Sequence, residues 1–188
     1  GIRIVDYGYN AKDIRLISRV PKPEGQNISV SVFGDYYDLT LPLVGEFQVM
    51  NVLCALGLVL CDNQEEGKNY VPLLSKLRGV SGRLQLVGER SSGAAVYVDY
   101  AHKPGALEAV LNALRPHTQG RLICLFGCGG DRDPGKRSIM GEIANLLADL
   151  VIVTDDNPRS EDPEQIRSEI IKTCPDAKNI PGRKQAIR

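Results

Sequence analysis

Along the N-terminal third, apolar and polar positions alternate. "QNISVSVF" and "YYDLTLPL" put an apolar residue at nearly every second position, the period of a half-buried strand, and "GDY" between them carries the glycine of a hairpin turn. The period then lengthens. In "FQVMNVLCALGLVL", Phe47, Val49, Leu53, Leu56 and Leu60 recur near helical spacing behind Gly45, which predicts a helix. "YVPLLSKLRGV" predicts a second helix, with Pro72 early in it, where a missing N–H matters least.

Past "GVSGR" the character changes. Short continuous apolar runs, "AAVYVDY", "RLICLF" and "DLVIVTD", alternate with "PGALEAVLNALRP", "KRSIMGEIANLLA" and "DPEQIRSEIIKT", which read as helices. Buried strands alternating with helices predict a parallel sheet covered on both faces. The C-terminal part is therefore expected to be a Rossmann-like α/β domain, and the earlier part the tail of another domain.

Composition narrows the choice of function. The chain has 188 residues, 43% of them apolar, enough for one core or for one domain and part of another. Its 23 basic and 23 acidic residues cancel, which argues against a general binder of nucleic acid or membranes. The longest apolar run, Val52 to Leu60, is too short to cross a bilayer, and the first residues carry no basic-then-apolar leader. A cytoplasmic protein is expected. Five scattered cysteines are expected to be reduced thiols, and with only His102 and His117 to join them no structural zinc is expected. The chain opens without Met on "GIRIVDYGYN" and ends on "GRKQAIR", the start of an amphipathic helix, so a piece of a longer protein is expected.

In a parallel sheet, ligands bind beyond the carboxyl ends of the strands. Three loops fall there, "DYAHKP", "GCGGDRDPGKR" and "TDDNPR", and each is rich in polar chemistry. The second begins like a dinucleotide fingerprint, but Arg132 stands where the third glycine must be. That weakens a nicotinamide oxidoreductase, and no Gly-Lys-Ser/Thr follows to make a Walker loop. Two readings stay open for it. Its glycines let backbone N–H groups approach an anion, with Arg132 and Arg137 adding charge, or they only form a tight strand-helix connection. Asp99 in the first loop either accepts the hydroxyls of a ribose or caps the helix at Pro104. Arg83, in "SGRLQ", is a lone arginine at a domain junction.

In the third loop, Arg159 offers a planar fork suited to a carboxylate. Asp156 can meet an ammonium, and Asn157 can donate and accept at once. Together they could hold a zwitterionic amino acid. Asp162 before Pro163 explains a helix cap but not the other three.

"VDYAHKPGALEAVL", "FGCGGDRDPGKR", "MGEIANLLADLVIVTDDNPR" and "EDPEQIRSEI", in this order and spacing, closely resemble the Mur ligases, in particular the branch that adds meso-diaminopimelate to UDP-N-acetylmuramoyl-L-alanyl-D-glutamate. The resemblance is very specific from 79 to 162 and weak over 1 to 38. It implies that residues 1–78 are the C-terminal part of a central ATP-binding domain and residues 79–188 most of a Rossmann-like C-terminal domain. It implies an ATP-dependent amide-forming ligase of peptidoglycan synthesis, a monomer acting on small molecules. Carried over position by position, it implies that Asp99 holds the ATP ribose, that Arg83 reaches the phosphates as the catalytic cation, and that His102 lies in the nucleotide loop. Asn51 falls in the family's adenine-side motif, where this chain has Gln48 at the first Asn. Arg132, Asp156, Asn157, Pro158 and Arg159 match the positions that recognise diaminopimelate; lysine-using members usually lack the final arginine. The P-loop, a carbamylated lysine, the Mg2+ ligands and a UDP-sugar domain would all precede Gly1, and a "GKGHE"-like element would follow Arg188. The piece alone is then not expected to catalyse. A folylpolyglutamate-type ligase is a rival that "DNPR" argues against. A non-catalytic amino-acid-binding module of the same fold is another.

Overall fold

The alternating N-terminal third folds as a mainly antiparallel sheet in the computed structural model, which describes residues 4–61 and 67–188. The chain folds into two units, Gly1–Asp99 and Tyr100–Arg188.

In the first unit, β1 (Tyr7–Gly8), β2 (Ile14–Lys22), β3 (Gly25–Val32) and β4 (Asp35–Leu41) form a sheet in that order, β1 parallel to β2 and the rest antiparallel. The β3–β4 turn is Phe33-Gly34, both at positive φ (49° and 91°), the two-residue geometry whose twist suits a hairpin. Asp35 and Tyr36, expected in the turn, already pair in β4. β2 is not foreshadowed by the sequence pattern. Its alternation breaks at a bulge between Leu16 and Ser18, which leaves Ile17 and Val20 exposed, so only Ile14 and Leu16 carry the inward signal.

Helix α1 (Glu46–Leu60) buries Val49, Val52, Leu53, Leu56, Gly57 and Leu60 in a core shared with Ile14, Leu16, Ile28 and Val30. Phe47, expected inward, is 46% exposed, because it lies one turn from Asn51 on the outer face. The second predicted helix is a 3-10 helix, Lys68–Lys76, and it stops before Leu77. Pro72 sits in its middle, where an α-helix would need the N–H that proline lacks. "AAVYVDY" also departs from expectation. β6 (Ala95–Val98) pairs antiparallel with β5 (Gln85–Glu89) as a separate hairpin, and Val96 and Val98 are 40% and 47% exposed.

The second unit holds the parallel sheet. β7 (Ile123–Phe126), β8 (Leu150–Val153) and β9 (Lys178–Asn179) run in that order. Helices α2 (Pro104–Leu114), α3 (Gly135–Leu147), α4 (Pro163–Ile171) and α5 (Arg183–Ile187) accompany them. α3 connects β7 to β8, and α4 connects β8 to β9. Leu107, Leu111, Phe126, Met140, Val153, Ile166 and Ile170 build the core. Two-residue β9 is too short to leave a periodic signal; it is fixed by Arg167, whose Nε donates to Asn179 Oδ1 at 2.8 Å. All five cysteines are free thiols, and burial pushes the Cys124 thiol up to about 12.

Candidate functional site

The carboxyl ends of β7 and β8 release two loops, 127–134 and 154–162, and these interlock. Gly130 N–H donates to Asn157 O at 2.9 Å, and Arg159 Nη1 donates back to Gly130 O at 2.7 Å. The glycines are explained by this contact. A Cβ on Gly130 would run into the carbonyl of Pro158, and one on Gly127 into that of Thr154. The expectation that these glycines open the backbone to an anion is therefore corrected at Gly130, whose N–H is spent on the neighbouring loop.

Charge pins the same contact. Arg137, expected to add free charge for an anion, is 1% exposed and belongs to the frame. Its Nη2 donates to both oxygens of Glu161 at 2.8 Å, and its Nη1 to Glu169 Oε2 at 2.9 Å. Burial opposes that charge, yet the hydrogen bonds and ion pairs with Glu169 and Glu161 outweigh it and raise the arginine's pKa. The same Arg137 hydrogen bond holds the Glu169 carboxyl below its ordinary range. Glu161 Oε1 also accepts Asp131 N–H at 2.5 Å, and the Asp131 carboxylate accepts from Ser160 N (3.2 Å) and Ser160 Oγ (2.6 Å).

Two residues in this contact carry positive φ, Asp131 at 50° and Arg159 at 52°. For residues other than glycine this costs about 1–2 kcal/mol each. The cross-loop bonds offset it. Asn157 Oδ1 accepts Arg159 N–H at 3.2 Å and completes the turn. The hydrogen bond to Ser160 lowers the Asp131 carboxyl first, and the nearby cations of Arg159 and Arg132 lower it further.

Asp156, Asn157, Arg159 and Arg132 are exposed, and Pro158 is half-buried. Asp156 lies 3.9 Å from Arg183 Nη2, a loose ion pair. Asp155 is taken up by an ion pair with Arg167, and its N–H donates to Pro181 O at 3.0 Å, so the segment before α5 docks at the end of β8. Asp162 Oδ1 accepts Glu164 N–H at 3.0 Å and caps α4 as expected. In the first loop of this unit, His102 is exposed, its ring edge against Tyr100. The backbone carbonyl of His102 accepts Lys136 Nζ at 2.9 Å, which ties that loop to the start of α3.

In the first unit, the Asp99 carboxylate accepts Leu84 N–H at 2.8 Å, which sets it beside the exposed Arg83. α2 begins behind Lys103, without a side-chain cap. Gln48 and Asn51 share one face of α1, Asn51 Nδ2 reaching Gln48 Oε1 at 3.4 Å. Buried Gln26 holds the entry to that helix, its Nε2 donating to Leu43 O (2.7 Å) and Gly45 O (3.0 Å). Among the described residues, no group of three His, Cys, Asp or Glu side chains is placed to hold a metal ion, and no helix is long and apolar enough to cross a membrane.

Sequence reasoning missed Asp131, Ser160 and Glu161. Their only signal was density of charge in two loops, and nothing in the order of residues says which charges pair.

The chain belongs to the Mur ligase family: the family model for "Mur ligase, glutamate ligase domain" matches residues 82–188. It is 50% identical over all 188 residues to the UDP-N-acetylmuramoyl-L-alanyl-D-glutamate--2,6-diaminopimelate ligase of Caulobacter vibrioides, and 56% identical over 163 residues to the ligase of that name from a Chelativorans species. It spans 38% of the first relative's length and 34% of the second's. A solved structure of a ligase with the same name superposes with TM-score 0.76 at 33% identity, covering 98% of this chain and 39% of that one. The fold extends further: Mycobacterium tuberculosis folylpolyglutamate synthase complexed with ADP superposes with TM-score 0.69 at 24% identity, covering 93% of this chain and 39% of that one.

Proposed function

We propose that this chain is the amino-acid-selecting part of an ATP-dependent ligase that joins meso-diaminopimelate to UDP-N-acetylmuramoyl-L-alanyl-D-glutamate in peptidoglycan synthesis. The observation that carries this reading is the interlocked loop pair. It presents the cation of Arg159 next to Asp156 and Asn157 on one loop, with Arg132 exposed on the loop bonded to it. An amino acid with a second carboxylate needs such a cation, and its ammonium an anion. The named relatives at about half identity support that substrate.

In the proposed reaction, the glutamate side-chain carboxylate takes the terminal phosphoryl group of ATP, releasing ADP. The diaminopimelate amine then attacks the acyl phosphate, an amide forms, phosphate leaves and the amine loses a proton. Arg132, Asp156, Asn157, Pro158 and Arg159 would orient the amine, and orientation alone supplies much of the acceleration when two substrates must meet. Gln48 and Asn51 would meet adenine, Asp99 the ribose, His102 the nucleotide loop, and Arg83 the charge building on the phosphates. The family's Mg2+ has no ligand set among the described residues, and none of these steps runs through it. Residues 1–78 would belong to the ATP-binding domain and 79–188 to the C-terminal domain of a cytoplasmic, monomeric enzyme.

The test is amide formation by the full-length enzyme with ATP and the UDP-linked dipeptide, offered diaminopimelate, lysine or glutamate. The reading expects diaminopimelate to be strongly preferred. Preference for glutamate would favour a folylpolyglutamate-like activity, and absence of turnover with all three a binding module.

A further inference from the structure

Arg159 recognises a carboxylate only if its guanidinium is held at a fixed place and angle, yet it sits on an exposed loop at an unfavourable φ of 52°. Something must hold it there. We propose that Arg137, Glu161 and Asp131 are positioning residues for amino-acid selectivity, a buried-to-surface relay that fixes Arg159 without touching substrate; the proposal rests on the function proposed above.

The relay starts inside the unit. Arg137 is 1% exposed on α3, and its fork is taken by Glu161 and Glu169. Glu161 stands two residues past Arg159, so the loop's outgoing arm is tied to a fixed point. Glu161 also grips the other loop through Asp131 N–H at 2.5 Å, and Asp131 closes the circuit on Ser160, the residue next to Arg159. On the incoming side Asn157 Oδ1 holds Arg159 N–H, and on the guanidinium itself Gly130 O holds Nη1. Asn157 O in turn accepts Gly130 N–H, so the residues on both sides of the arginine are tied to the other loop or to α3.

A stabilising role alone would not call for ions. A buried pair is commonly no better for stability than apolar residues of similar volume, whereas the forked bonds of Arg137 to Glu161 and Glu169 are directional. A guanidinium-carboxylate bond with two parallel hydrogen bonds is intolerant of displacement.

The test uses the full-length ligase and the variants Glu161→Ala, Glu161→Gln and Ser160→Ala. Misplacement of a binding group by about an ångström is expected to reduce kcat/KM for diaminopimelate about tenfold or more in Glu161→Ala. The KM for ATP should stay within about twofold, and the diaminopimelate-to-lysine ratio of kcat/KM should fall by about the same tenfold. Glu161→Gln keeps an oxygen for Asp131 N–H and should recover part of the loss. Ser160→Ala, at an exposed position, tests the outer end of the relay if Glu161→Ala does not fold, with about a threefold loss of the ratio expected. Folded variants that retain wild-type selectivity would overturn the relay, as would ATP and diaminopimelate parameters worsening together. If the wild-type enzyme itself accepts lysine as readily as diaminopimelate, the proposed function and the relay fall together.

Discussion

The two groups of site residues are held in opposite ways. The loops at the ends of β7 and β8 are bonded to each other at several points and anchored to a buried arginine with two carboxylate partners. The residues proposed for the nucleotide show lighter supports, a carboxylate-to-backbone bond at Asp99, a weak amide contact between Gln48 and Asn51, and a lysine on the His102 carbonyl. The difference follows from the tasks proposed for them. Telling one carboxylate from none calls for a cation fixed before the substrate arrives, because a pre-set donor fork spends little ordering entropy on binding. A nucleotide common to many enzymes needs no such discrimination, and its contacts can order when it binds.

The largest expected effect breaks the rigid side. Arg137→Ala removes the cation shared by Glu161 and Glu169, whose side chains are 31% and 26% exposed, and losing its charge-assisted hydrogen bonds should cost about 1.5–3 kcal/mol. Urea unfolding followed on this chain should show that loss, and a loss below about 1 kcal/mol would mean that the frame is dispensable. Next comes Gly130→Ala. Its new methyl group must displace the Pro158 carbonyl, so a loss of about 1–3 kcal/mol is expected, as for other overpacked sites.

On the lighter side the effects should be smaller in stability and visible in ATP use. Asp99→Asn keeps an oxygen for Leu84 N–H, so the fold should be spared. The lost charge should weaken ATP by about 1–2 kcal/mol, read as a raised KM for ATP with that for diaminopimelate unchanged. Equal shifts in both would make Asp99 structural. Smallest is Asn51→Ala, exposed on α1, for which stability should stay within about 0.5 kcal/mol and only the KM for ATP should rise.

How far the sequence could be read depended on what each signal shares with other structures. Continuous runs such as "RLICLF" and "DLVIVTD" have few alternatives in a chain that also shows helical periods, and β7 and β8 fall where expected. "AAVYVDY" reads alike as a buried parallel strand or as one arm of an exposed hairpin. The strand in fact alternates half-buried Ala95 and Tyr97 with exposed Val96 and Val98, a period-two pattern in plain view. At the site, Asp156, Asn157 and Arg159 were legible because three chemically different polar groups stood together where one cap would do. Arg137 was not. It pairs with Glu161 and Glu169, 24 and 32 residues away, and a charged residue in an amphipathic helix looks like solvent-facing surface until its partners are placed. Gly130 of "GCGGDRDPGKR" misled for the same reason, its N–H being taken by Asn157 O. What it makes room for is another loop of this chain, known only once the chain is folded.

The fixed cation of Arg159 is proposed to select diaminopimelate over lysine. That selection is tested most directly by kcat/KM for both amino acids in the full-length enzyme and its Arg159→Ala variant, with ATP saturating. The ratio should fall by about 2–5 kcal/mol in the variant, the scale of breaking a close charged pair, while the KM for ATP hardly moves. An unchanged ratio would contradict it, and would reduce the loop to a well-braced turn.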